Sequence, residues 1–278
     1  MKEVKIGYQM IGKEPKIVGV IGGKKALELV QYAENEDADL LEIRVDSFDT
    51  IDPREIAKIF QQVKQKTNVP LIATIRRLKE GGSYYKSQGS EQKRLEIFHR
   101  IMEYVDALDI ELSATEILDP VIKEGKEQGI AIITSHHDFY RTPSMEEFEK
   151  IIEDAYEKDG DIIKISTTAL SKKDIITSLK ILLKLVKGGN KPSTVISMSE
   201  IGTISRLIFP LYGSCLTYGF LSDDSPSAPG QVTTKNMHAY INEYKDIIPK
   251  NMGNLPMIYA AIEKNLYPFK EKELVALL

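Results

Sequence analysis

Lys164 is the residue with the clearest chemical consequence, because it interrupts the apolar run DIIKIS (161–166) with isoleucine on either side. Lysine is rarely buried without a reason. An amine with the ordinary pKa near 10.4 is less than about 0.1% free base at pH 7, whereas a fall of about three units makes a substantial fraction nucleophilic. Apolar walls and nearby cations are the expected source of that fall. A free amine adds to a ketone, and the iminium that results is an electron sink that acidifies the adjacent C–H. The alternative is a lysine that neutralises a carboxylate on a neighbouring strand.

Proton-moving groups lie close in sequence order. SHHDF (135–139) ends the preceding apolar run and carries His136, His137 and Asp138. Consecutive strand residues point to opposite faces, so the two histidines do not chelate one metal together, and no metal site is expected. An imidazole with an unperturbed pKa near 6.5 is a natural general base at neutral pH. Periodicity leaves the choice between the two open. His99 and His238 lie in helical stretches and read as surface or packing residues.

Further polar groups fall late in apolar runs. Glu42, Arg44 and Asp46 alternate in EIRVD, so a strand sends all three to one side, either to line a site or to form a buried ion-pair ladder. Arg206 in MSEIGTISR (198–206) is placed either to clamp a carboxylate with its planar fork or to face solvent. SDDSPSAPGQ (222–231) has the composition of a lid or of a plain surface loop. GVIGGKK (19–25) is discounted as a phosphate loop, since its glycines are wrongly spaced and Lys25 stands where Ser or Thr is required.

These residues need a scaffold that brings the ends of several strands together. Eight short apolar runs, KIVGVIG (16–22), LLEIRVD (40–46), PLIATIRR (70–77), ALDIELS (107–113), AIITSHHD (131–138), DIIKIST (161–167), STVISMS (193–199) and CLTYGFL (215–221), alternate with amphipathic stretches. Runs this continuously apolar belong to parallel strands buried on both faces, and eight strand–helix units close into a (β/α)8 TIM barrel with its active site at the strand C-termini. An open doubly wound sheet is the second choice. Asp52-Pro53 and Thr142-Pro143-Ser144 read as helix starts. MKEVKIG (1–7) reads as an extra short strand capping the barrel floor. The expected organisation is one catalytic domain over 1–248 and a helical C-terminal extension over 249–278, with Met257, Ile258, Ala261 and Leu266 spaced as one apolar helix face.

Composition bounds the partners. With 42% hydrophobic and 28% charged residues and a formal net charge of −4, the chain reads as a soluble protein with no bulk attraction for nucleic acid or membranes. An anionic ligand must then be held by placed arginines. The single Cys215 and the absence of a signal-like N-terminus point to a cytoplasmic setting.

Taken in order, EIRVD, TIRRLKEGG, DIELS, SHHDF, IIKIS, MSEIGTISR, LTYG and SAPGQ resemble type I 3-dehydroquinate dehydratases from residue 1 to about 245. The resemblance implies a hydro-lyase that converts 3-dehydroquinate to 3-dehydroshikimate without metal or organic cofactor. It implies that Lys164 forms the imine, that His137 is the acid/base, and that Glu80 orients His137. It also implies that Glu42, Arg44, Arg76, Arg206, Ser227 and Gln231 hold the substrate, with Arg206 on its carboxylate. The family often carries a small hydroxyl residue near the end of its first strand, where this chain is read as having Gly19. A homodimer is carried as an expectation about assembly. The competing readings are a Schiff-base aldolase, which would need a phosphate cradle after the seventh and eighth strands, and a non-catalytic barrel that binds a sugar acid.

Overall fold

Alternation of inward and outward side chains along the apolar runs is what shapes this chain. A computed structural model describes residues 2–84, 89–221, 224, 226–245, 259 and 262. After β1 (Val4–Ile6) and β2 (Gln9–Ile11) come the eight parallel strands β3 (Lys16–Gly22), β4 (Leu40–Arg44), β5 (Leu71–Thr74), β6 (Ala107–Glu111), β7 (Ala131–Asp138), β8 (Ile162–Thr168), β9 (Ser193–Met198) and β10 (Leu216–Phe220). Neighbours from β3 to β9 follow chain order and β10 pairs with β3, which is a closed ring and not an open doubly wound sheet. The seam between β9 and β10 closes where Cys215 N donates to Ser193 O at 2.9 Å and Leu216 N to the Thr194 hydroxyl at 2.9 Å.

The helices that follow the barrel strands are α1 (Ala26–Leu29), α2 (Pro53–Lys66), α3 (Glu91–Ile101), α4 (Leu118–Glu127), α5 (Met145–Glu157), α6 (Lys172–Gly188), α7 (Ser205–Ile208) and α8 (Thr234–Tyr244). The expected starts hold. Asp52 accepts from the Arg54 and Glu55 amides ahead of Pro53, and Ser144 forms a capping box with Glu147. The first and seventh units are single α-turns flanked by 3-10 turns; in the seventh, Pro210 lacks the N–H that a longer α-helix would use.

Outward residues such as Ile21, Leu41, Ile43, Ala73, Leu108 and Ile110 pack under α2–α4, while Ile163, Ile165 and Val195 pack under α5, α6 and α8. Inward residues near the strand starts, Leu40, Ile72, Ala107, Ala131, Ile162 and Leu216, form a separate apolar layer. The floor is capped by a hairpin, not by the single strand expected. Gly7, at φ +58, allows a tight turn that folds β2 antiparallel onto β1, and Val4, Ile6 and Ile11 join the inner layer.

Two expectations shift. Gly19 faces outward, where a Cβ would come within 2.9 Å of Leu221 and 3.2 Å of Leu41; the residue of that strand that reaches the barrel cavity is Val20. The proposed apolar face of the extension, Met257, Ile258, Ala261 and Leu266, lies outside the described residues. Tyr259 and Ile262 are described, and both pack on the chain's own apolar cluster beneath α6 and α8, with Lys180 Nζ 5.9 Å from the Tyr259 ring.

Ile11 is fully buried in the floor layer, so Ile11→Ala should cost about 2–5 kcal/mol. Thermal unfolding should move down by roughly 5–15 °C while turnover per folded molecule stays the same. An unchanged Tm would show that the hairpin does not plug the barrel.

Candidate active site

At the C-terminal ends of the strands the inner face turns from apolar to polar. One cavity of about 480 Å³, counting its open mouth, is lined by Glu42, Arg44, Arg76, Glu80, His137, Lys164, Arg206, Ser227 and Gln231. All nine residues that the resemblance assigns to the site thus line one cavity, whereas Asp46, His136 and Asp138 do not. Val20, Phe139, Ser166, Ile196, Met198, Tyr218 and Ala228 complete the wall. One side of the cavity is therefore charged and the other is aliphatic and aromatic.

Lys164 sits at mid-strand in β8, in register with Ser135 on β7 and Thr194 on β9. Its surroundings differ from the apolar and cationic walls expected. Nζ is 2.7 Å from Asp109 Oδ2 and 3.1 Å from Glu42 Oε2, and it lies 3.9 Å from the centre of the Tyr218 ring. Asp109 is fully buried, yet its other oxygen accepts Arg76 Nη2 at 2.7 Å and the Ser135 hydroxyl at 2.6 Å. Burial opposes its ionisation, but Arg76 and Lys164 together hold its carboxyl well below the usual range.

Arg76 follows β5 and is buried with both Nη atoms engaged: Nη1 donates to Glu111 Oε1 at 2.9 Å and Ser135 Oγ at 2.8 Å. Arg44 forms a bidentate pair with Asp46 at 2.9 and 3.0 Å. Asp46 does not line the surface with Glu42 as strict alternation predicts, because β4 stops at Arg44 and Val45–Ser47 forms a 3-10 turn. Asp46 instead accepts the Arg76 and Ser83 amides and so ties the loops after β4 and β5 together.

The two histidines separate as alternation requires. His137 pairs in register with inward Ser166 and its ring reaches the cavity, while His136 pairs with outward Ile165. Glu80 Oε2 meets His137 Nδ1 at 3.1 Å and the His137 amide at 2.9 Å, and Glu80 Oε1 accepts the Ser113 hydroxyl. The turn carrying Glu80 depends on glycines. Gly81 has φ +79 and a Cβ there would lie 2.2 Å from the Phe139 ring, while one on Gly82 would lie 2.0 Å from the Arg76 carbonyl. Burial alone would raise the Glu80 carboxyl, but the His137 hydrogen bond and charge, with Arg76, bring it down to about 2. Burial and the Arg76 charge push His137 down to about 4 despite Glu80, so its ring is neutral at pH 7 with Nε2 free to accept a proton.

Arg206 is buried, not solvated. Nη1 donates to Tyr218 O at 3.1 Å and Nη2 to Pro229 O at 3.4 Å, and Nε has no partner among the described residues. Burial lowers its pKa to about 10. Among the described residues its hydrogen-bond partners are both neutral carbonyls, so no carboxylate among them balances its charge. Ser227 and Gln231 hold each other, Gln231 Oε1 accepting the Ser227 amide at 2.7 Å and hydroxyl at 3.1 Å, so the loop's polar groups are already drawn to the cavity rim.

Sequence reasoning missed Asp109, Glu111 and Val20. The signal for the first two was present, since Asp109 and Glu111 alternate within the apolar run ALDIE as Glu42 and Arg44 do in LLEIR. Among the described residues, no group of three or more His, Cys, Asp and Glu side chains is disposed to hold a metal ion, and no helix is long and apolar enough to cross a membrane.

Comparison with known proteins agrees with this geometry. The family model of type I 3-dehydroquinase matches residues 21–248. A 3-dehydroquinate dehydratase of Methanosarcina barkeri is 38% identical over 232 residues, spanning 82% of this chain and 94% of that protein. That of Enterococcus faecalis is 32% identical over 255 residues, spanning 88% and 99%. Among solved structures, the type I 3-dehydroquinate dehydratase of Clostridium difficile, determined with covalently modified comenic acid, superposes with a TM-score of 0.81 at 28% identity, covering 89% of this chain and 99% of that one. The barrel, the cavity at its mouth and these matches lead to one conclusion: the chain belongs to the type I 3-dehydroquinase family.

Proposed function

We propose that this chain dehydrates 3-dehydroquinate to 3-dehydroshikimate through an imine on Lys164. The observation that carries the reading is the buried amine, held by Asp109 and Glu42 in the same cavity as a neutral His137. The amine reacts as the free base, and its Nζ starts 2.7 Å from Asp109 Oδ2 and 3.1 Å from Glu42 Oε2. Its lone pair then forms a C–N bond to the ketone carbon, and the carbonyl oxygen leaves as water, giving an iminium. His137 removes the proton from the adjacent carbon, and that electron pair forms an enamine. The enamine expels the β-hydroxyl, which takes the proton back from His137 and departs as water. Hydrolysis of the conjugated iminium consumes the first water and restores Lys164, so one water is lost overall.

Glu80 orients the imidazole, Arg206 clamps the ring carboxylate, and Glu42, Ser227 and Gln231 read ring hydroxyls, with Arg44 and Arg76 setting the charge around them. Val20, Ile196 and Met198 offer the substrate's less polar face an aliphatic wall. Residues 1–248 are the proposed catalytic barrel and 249–278 an extension, of which Tyr259 and Ile262 pack on the chain's own apolar cluster. A cytoplasmic location fits the single, buried and unpaired Cys215. A homodimer is the assembly proposed, and size measurement in solution decides it. Membership of the family sets the aldolase reading aside.

The pH dependence tests the base. His137 accepts a proton only as neutral imidazole, so the limb of kcat/KM that reports its protonation should lie near pH 4 and not near 6.5. His137→Ala should lose most of the enone-forming activity, and His136→Ala should change stability but not the profile. An acidic limb near 6.5, or an inactive His136→Ala protein, would contradict the assignment.

Arg206→Lys keeps a charge but loses the fork, so KM should rise at least about tenfold. A substrate analogue without the carboxylate should bind the parent and Arg206→Ala equally poorly. Kinetics within a factor of two of the parent for Arg206→Lys would exclude the clamp.

A further inference from the structure

The buried charges do not end at the cavity wall. Arg94 lies on α3, outside the barrel, is fully buried and does not line the cavity. Its Nη2 donates to Glu111 Oε2 and its Nη1 to Glu91 Oε2 at 3.3 Å. Glu111 gives its other oxygen to Arg76 Nη1, at 2.9 Å, and to the Arg77 amide, at 3.0 Å. Arg76 Nη2 continues to Asp109 Oδ1, and Asp109 Oδ2 ends the chain on Lys164 Nζ, each at 2.7 Å. Every link uses a different atom of the bridging group, so the path from α3 to the amine is continuous. We propose that Arg94 is a positioning residue for the reaction, fixing the Lys164 amine through Glu111, Arg76 and Asp109.

The physical reason is charge balance in a fully buried row. Glu111 without Arg94 is left, among the described residues, with Arg76 as its ion-pair partner, and draws that guanidinium toward itself and away from Asp109. Asp109 then moves with Lys164, and a displacement of about 1 Å at a reacting atom costs on the order of a hundredfold in rate. The same shift reaches His137, whose ring faces Arg76, Glu80, Lys164 and Asp109, because the Arg76 charge helps keep it neutral. A purely structural arginine would lower stability and leave each folded site unaltered.

The inference rests on Lys164 forming the imine, so the test normalises turnover to the Lys164 sites that borohydride traps with 3-dehydroquinate. Arg94→Met removes charge and fork, Glu111→Gln keeps shape and removes charge, and Arg94→Lys keeps charge alone. Turnover per trapped site should fall about tenfold or more in the first two, with KM within about twofold because Arg206 and the 226–231 loop are untouched. Arg94→Lys should recover part of the loss, the acidic limb of kcat/KM should move, and the Arg94→Met/Glu111→Gln double variant should be no worse than the weaker single one. If Arg94→Met does not fold, Glu111→Gln and Arg94→Lys carry the same comparison. Parent-like turnover per site and an unmoved limb, with only Tm reduced, overturn the role of Arg94. No trapped adduct in the parent overturns the imine reading instead.

Discussion

The interaction on which the site depends is the double engagement of Asp109. One carboxylate, at zero exposure on β6, holds the Lys164 amine with one oxygen and the Arg76 guanidinium with the other. Buried ions are costly unless paired and fully hydrogen-bonded, and breaking such a pair from one side costs about 3–5 kcal/mol. Here Ser135, Glu42 and Glu111 complete the pairing, so the row is satisfied and each head group has one place to be. Arg76, fixed in this way, also acts on His137 and helps keep its ring neutral. The proposed nucleophile and the proposed base therefore share one electrostatic arrangement.

The barrel makes that arrangement tolerable by dividing its interior. Toward the strand starts the inner layer is largely aliphatic and is closed by the β1–β2 hairpin, whose Val4, Ile6 and Ile11 join it. Toward the strand ends the same alternation presents Glu42, Asp109, Glu111, Ser135, His137 and Lys164. Most outward residues of those strands, such as Leu41, Ile43, Leu108, Ile110, Ile132, Ile163 and Ile165, are apolar and pack under the helices, so the polar row is added beside a largely apolar core. Arg206 follows a different logic. Among the described residues it bonds only neutral carbonyls, which suits the proposed role of holding an anionic group of the substrate.

Much of this was legible in the sequence because a period of two decides which face a strand residue takes. Lys164 and the opposed directions of His136 and His137 follow from alternation alone, and the ring of eight strands follows from the repeated strand–helix pattern. Alternation fails where a strand stops: Asp46 turns back on Arg44 because Val45–Ser47 is a 3-10 turn. A one-residue misplacement is enough to exchange faces, and Gly19 was read as the position that Val20 occupies. Arg94 gave no signal, since a charged residue on a helix is ordinarily solvated, and its partner Glu111 lies 17 residues away on a strand. The environment of Lys164 was also unreadable, because its two carboxylates come from β4 and β6, far apart in the chain.

The central claim is that the amine held by Asp109 is the group that bonds to the substrate. Borohydride reduction during turnover of 3-dehydroquinate, followed by proteolysis and peptide mass spectrometry, tests it most directly. A single stable adduct should form on the peptide carrying Lys164 and be absent from Lys164→Ala, which should fold and be inactive. An adduct on another lysine, or full turnover by Lys164→Ala, would contradict it.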